Sequence, residues 1–223
     1  MRYIDKTNRL IEWDVYVRKS NPTVWNNSSK KERLKLHKHL HLQQNGLCIY
    51  CEQEILSIQK NTSDAIHPSH LEHVLPKSNA LFAALIFDQD NLAMSCMGFK
   101  EGKYELDSTG RVKRAKGVSI NYDFCGHPKD NKMDIGLFIN PLKDLETHKY
   151  FNFDINGQII PSDKNPEKAE YTINLLNLNH DDLVAWRLEV YNTLLEDTEL
   201  DITAYLLTFP TFYSMIKNLW GIA

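Results

Sequence analysis

No window of the 223-residue chain holds eighteen consecutive apolar residues, so the sequence offers no transmembrane helix. The start, Met1-Arg2-Tyr3-Ile4-Asp5-Lys6, lacks the apolar run of a secretory signal. A cytoplasmic protein without a membrane partner is therefore the expectation. Cysteine is scarce, with four in all, and structural disulfides are not expected in a chain without an export signal. There is no internal repeat, no low-complexity run and no disorder signature. Hydrophobic residues make up 42% and charged residues 25% of the chain, enough for a core that does not depend on a metal. The length suits one domain with appendages, or two small ones.

Acidic residues are thin in the front of the chain and basic ones in the back. Residues 1–133 carry 20 Lys+Arg against 15 Asp+Glu, and residues 134–223 carry 6 against 14. Seven of the nine histidines also lie in the front part. A basic, His-rich front suits contact with a polyanion, although solvated helix faces produce the same division.

Three regions follow from the local signals. In residues 1–46, Ser29-Lys-Lys-Glu32 has the form of a capping box, and Gly46 is read as the C′ residue of the helix it opens. Residues 47–136 read as short strands and turns, with strands at His70-Leu71-Glu72-His73-Val74 and Leu92-Ala93-Met94-Ser95 and a polar, basic insertion at 97–124. Residues 137–223 are mostly helical after an expected turn at Asn156-Gly157. Asn165 and Asn179 are read as N-caps, and Leu183, Trp186, Val190, Tyr191 and Leu194 form an apolar stripe.

Cys48-Ile-Tyr-Cys51 presents two thiolates to one ion, and Cys96 with Cys125 completes the four soft ligands that Zn²⁺ takes. A redox role would call for a thioredoxin-like βαβ pattern, which is missing. The second cysteine pair is split by 28 residues.

Between the cysteines stand Glu72-His73, Asn91-Leu92 and, after the insertion, Cys125-Gly126-His127-Pro128-Lys129-Asp130-Asn131. This arrangement resembles the HNH endonuclease family. More narrowly, it is similar to the HNH subunit of Septu-type and retron-associated anti-phage systems. Further shared pieces are Glu72-His73-x-x-Pro76-Lys77-Ser78, Ser95-Cys96, and Thr172-Ile173-x-x-Leu176-Asn177-Leu178-Asn179 followed by Leu183 and Arg187. The chain departs from the pattern at Phe99 and Lys100, where a cysteine and an asparagine are expected.

The resemblance implies an α+β fold: a ββα-metal core with a four-cysteine zinc knuckle, flanked by an N-terminal helical segment and a C-terminal helical region. It implies His73 as general base, Asn91 as the group that orients it through the backbone, and Glu72 as ligand to a catalytic Mg²⁺ or Mn²⁺. His127 and Asn131, read as i, i+4 on the following helix, are the further candidate ligands. His70, on the side of Glu72, is at most a supporting or substrate-facing residue. Lys77 and Lys129 are candidate phosphate contacts. The implied partners are nucleic acid, DNA before RNA, and an ATPase of the defence system. The aromatic-rich region after about residue 165 is expected to dock on that ATPase. The alternative is an inactive, zinc-stabilised binding module, which the missing asparagine at position 100 favours.

Overall fold

In a computed structural model, which describes residues 1–55, 69–98, 104–106, 112–114, 123–130 and 132–222, the chain is a mixture of helices and small antiparallel sheets. Two helices lead, α1 (Ile11–Ser20) and α2 (Lys30–Gln43). The capping box forms on its first half: Ser29 Oγ accepts from Glu32 N at 3.4 Å. At the other end the left-handed C′ residue is Asn45, not Gly46. Asn45 N donates to Leu42 O and Gly46 N to His41 O, a Schellman pair that places Gly46 one position later. Leu36, His37 and Leu40 form the buried face of α2. The Gln44 side chain then ties the helix end to the sheet, accepting from Met94 N at 2.7 Å and donating to Met94 O at 2.9 Å.

Strands β1 (Ser69–His73) and β2 (Leu92–Cys96) pair antiparallel, with Glu72 opposite Ala93 and His73 opposite Leu92. Every residue of β2 is buried, which fits its apolar sequence and its place beneath α2. Beyond it, Tyr104–Leu106 (β3) pairs with Val112–Arg114 (β4), so the expected insertion contains a hairpin. The two ends of the insertion meet: Asp123 N donates to Gly98 O at 2.8 Å. Gly98, at φ +69°, has no room for a Cβ against the Phe124 carbonyl. This closure returns the chain to the cysteine pair and opens the short helix α3 (Gly126–Lys129).

In the remainder, β5 (Phe151–Phe153) and β6 (Ile159–Pro161) form a hairpin turned at Gly157, φ +81°. Four helices follow: α4 (Pro166–Leu175), α5 (Asp181–Glu196), α6 (Ile202–Leu206) and α7 (Tyr213–Leu219). Asn165 caps α4 with Pro166 at its first position, as expected. The cap of α5 is His180, whose Nδ1 accepts from Asp182 N. Asn179 instead bonds both backbone groups of Ile159 and so fastens the hairpin to the helices. The C-terminal aromatics mostly close their own core: Phe212 is buried, Tyr191 packs on Trp220, and Phe209 stacks on Tyr213. One contiguous buried cluster runs from Met1 to Ile216. Among the described residues no helix is long and apolar enough to cross a membrane.

Candidate metal centre and adjoining cleft

The C-x-x-C turn holds its shape through its backbone, with Cys48 N donating to Gln53 O and Glu52 N to Cys48 O. Ile49 N donates to Met94 O, which docks the turn on β2. Cys96 ends β2, and Cys125 is held by Leu176 O, which accepts from its N–H at 2.8 Å. The four sulfurs lie within 4.8 Å of one another and all four residues are buried. The Cys48–Cys125 and Cys51–Cys96 sulfur pairs are 3.9 and 3.8 Å apart. The edge of a tetrahedron with Zn–S bonds of about 2.3 Å is about 3.8 Å, so the donor set fits a structural Zn²⁺. Burial pushes the Cys125 thiol well above the usual range. Burial would raise Cys48 too, but hydrogen bonds from Cys125, Cys51 and Cys96 bring it well below.

Tyr50, between the two ligating cysteines, reaches out of the turn and donates to Glu72 Oε1 at 3.0 Å. Glu72 sits on β1 in a shell of donors. Lys129 Nζ meets the same oxygen at 3.0 Å and His70 Nε2 lies 3.2 Å from Oε2. His70 and Glu72 are two apart on the strand and therefore share a face. Burial alone would raise the Glu72 carboxyl, but the Lys129 charge and the His70 bond outweigh it and hold the group at about 2. Gly126 packs directly on this carboxylate: a Cβ there would lie 2.6 Å from Oε2.

His73 closes the strand and packs edge-on against Trp25, with ring centroids 4.5 Å apart. Its Nε2 is 3.0 Å from Ile86 O. A carbonyl can only accept, so Nε2 carries the proton and Nδ1 keeps the lone pair. Burial brings the ring down to about 4, only partly opposed by the Ile86 bond. Asn91 secures the surroundings from both sides. Its Oδ1 accepts from Leu75 N at 2.7 Å, and its Nδ2 donates to Leu75 O and to Leu85 O, beside the carbonyl that receives His73. His127, on α3, packs at a tilt on His70, with ring centroids 4.4 Å apart, and is brought to about 4, first by burial and then by the His70 charge.

Glu72, His73, His127 and Lys77 border one cleft of about 230 Å³. The structure therefore brings together most of the residues singled out in the sequence. Lys129, 2% exposed, borders the same cleft and directs its ammonium to His73 O, Val74 O and Glu72. Helix α3 ends at Lys129, and Asp130 takes φ +39°. Asn131 itself lies outside the described residues, as do Phe99 and Lys100. Lys77 is exposed at the lip of the cleft. Three contributors were missed: Tyr50, Trp25 and Gly126. Only Tyr50 carried a sequence signal, its place inside the C-x-x-C.

No protein-family model matches the chain. Among curated proteins it is similar to the Septu protein PtuA of Bacillus mycoides (strain KBAB4), at 26% identity over 161 residues. That match covers 66% of this chain and 20% of PtuA, so the chain spans about a fifth of that relative's length. The similarity supports a Septu relationship. It does not bear on the HNH assignment, and the relative is PtuA rather than the HNH subunit that the motifs resemble.

Proposed function

We propose that the chain is a metal-dependent HNH endonuclease that hydrolyses nucleic-acid phosphodiester bonds. The observation that supports this best is the pairing, on one short strand, of an ionised Glu72 with a neutral His73 whose free lone pair is Nδ1. Asn91 braces Leu75 and Leu85, the latter beside the Ile86 carbonyl that receives the histidine. In this reading His73 Nδ1 takes the proton of the attacking water, and the phosphate's negative charge raises its basicity once substrate is bound. Glu72 and the neutral His127 would hold Mg²⁺ or Mn²⁺, since an ionised carboxylate and an uncharged imidazole suit such an ion. The ion would neutralise charge on the phosphate and the leaving oxygen. Lys77 at the lip would steer the backbone. The Septu relationship supports a role in anti-phage defence, and in this reading the activity would work there with an ATPase as partner.

One observation favours the inactive alternative: Lys129 already neutralises Glu72 in the cleft. Plasmid nicking with Mg²⁺ or Mn²⁺ decides between them. Wild type is expected to nick, and His73→Ala to lose on the order of 10²–10⁴ in rate. Equal cutting by the two proteins, or none by either in the presence of the partner, would remove the nuclease reading.

A further inference from the structure

Arg187 is among the largest fully buried side chains, 1% exposed. Its Nη1 donates to Gly157 O at 3.0 Å and its Nη2 to Leu178 O at 2.7 Å, while its buried Nε has no acceptor among the described residues. No carboxylate among the described residues forms an ion pair with it. Glu52, the acid that acts on it, is taken up by the Met1 amine at 3.4 Å and by Ser214. A buried cation left without a counter-charge is costly. Burial, the leading influence, lowers the guanidinium to about 10, and the groups placed to oppose it, once ionised, are Cys51 and Cys125.

The backbone shows how they come together. Within the turn Leu176-Asn177-Leu178, Leu176 O holds Cys125 N, Asn177 Nδ2 donates to Asp123 O, and Leu178 O receives Arg187. The Phe212 and Phe153 rings lie 5.7 and 5.8 Å from the guanidinium, and Phe212 N donates to Glu52 O, the residue after Cys51. The guanidinium is therefore linked through Leu178 to the segment that holds Cys125 and through Phe212 to the segment that carries Cys51. Four thiolates around one Zn²⁺ sum to two negative charges.

We propose that Arg187 is the internal counter-charge of the tetrathiolate metal centre, delivered by the C-terminal region through the Leu176–Leu178 turn. Charged side chains outside the ligand shell govern how strongly a metal is held, typically by 10–100-fold. The test does not depend on nuclease activity. Zinc affinity is measured by competition with a chromophoric chelator for the full chain and for Arg187→Lys, Arg187→Gln and Arg187→Met. Thermal unfolding is followed with and without zinc. Arg187→Gln and Arg187→Met are expected to weaken zinc on the order of 10–100-fold, and Arg187→Lys to keep most of the affinity. The rise in Tm on adding zinc should shrink in the two neutral variants, because zinc stabilises by its binding to the folded state. The metal-free forms should lose less stability, since without zinc-bound thiolates the buried cation is uncompensated and its removal relieves that cost. Unchanged zinc affinity in Arg187→Gln would overturn the proposal. So would a loss in Arg187→Lys as large as in Arg187→Gln, or a failure of both neutral variants to fold with or without zinc, because each would make Arg187 a brace rather than a charge.

Discussion

At the scale of single residues, the candidate site depends on one buried carboxylate and the groups that surround it. Glu72 is held ionised chiefly by the Lys129 charge, with the His70 bond beside it, and the Glu72 and Lys129 side chains are almost wholly enclosed, 9% and 2% exposed. Removing one partner of a buried pair leaves the other charge uncompensated, at a cost of about 3–5 kcal/mol. Lys129→Met is therefore expected to lower the unfolding free energy by about that much, measured by urea denaturation. The double variant Lys129→Met/Glu72→Gln should recover part of the loss, because no bare charge remains. A double variant less stable than Lys129→Met would show that Glu72 is held by something other than this pair. Gly126 makes a second case. A methyl at 2.6 Å from Glu72 Oε2 cannot be accommodated without displacing the carboxylate. Gly126→Ala should destabilise the protein by about 1–3 kcal/mol and disturb the cleft while leaving the four sulfurs in place, so zinc retention is expected to survive it.

At the scale of elements, the metal centre is assembled from three separate pieces: the turn after α2, the end of β2, and the return of the insertion into α3. The first two were legible in the sequence, because a C-x-x-C and an alternating strand are local patterns. The return of Cys125 was legible only through the cysteine count and the resemblance. Its physical cause, the meeting of Gly98 with Asp123 and the hold of Leu176 O on Cys125 N, is a set of long-range contacts that no local pattern encodes. The same is true of Lys129. An exposed lysine and a buried one look alike in sequence, and burial here is decided by Glu72 across 57 positions of chain. The helical character of the C-terminal region was legible, and its part in the metal centre was not. A chain ending near residue 163 would lack Leu176, Asn177, Leu178 and Arg187. It is expected to lose zinc and expose the thiols, read by thiol titration and metal analysis. A truncated chain that keeps zinc at full stoichiometry would show that the cysteine segments hold their arrangement unaided.

At the scale of the whole molecule, buried histidines and one buried lysine set the response to pH. His37 is brought from 6.5 to about 3, chiefly by burial and further by His41 and His70. His73 and His127 are brought to about 4 for the same leading reason. In each case the folded value lies below the unfolded one, so the stability carried by the neutral ring is complete above pH 6.5 and is lost as pH falls toward 4 and below. Lys6 follows the same sign at higher pH. Burial lowers it from 10.5 to about 7, while it donates to Gln43 Oε1 and Leu92 O. Its contribution is complete above 10.5 and declines as pH falls through that interval toward 7. The ionised Glu72 and Glu52 add their losses only below 4.5, the unfolded carboxyl value. Stability should therefore climb from pH 5 to pH 9 rather than peak at the sequence pI of about 6.3. Urea midpoints taken at unit intervals across that range, at constant zinc, check the slope. His37→Leu should flatten the acid limb, because His37 Nε2 gives up only a 3.3 Å contact with Ser69 and its Nδ1 has no partner. Lys6→Met should flatten the alkaline limb and leave the acid limb intact. A wild-type profile that is flat from pH 5 to pH 9 would mean that water reaches these side chains and that the core around β2 is more open than its burial indicates.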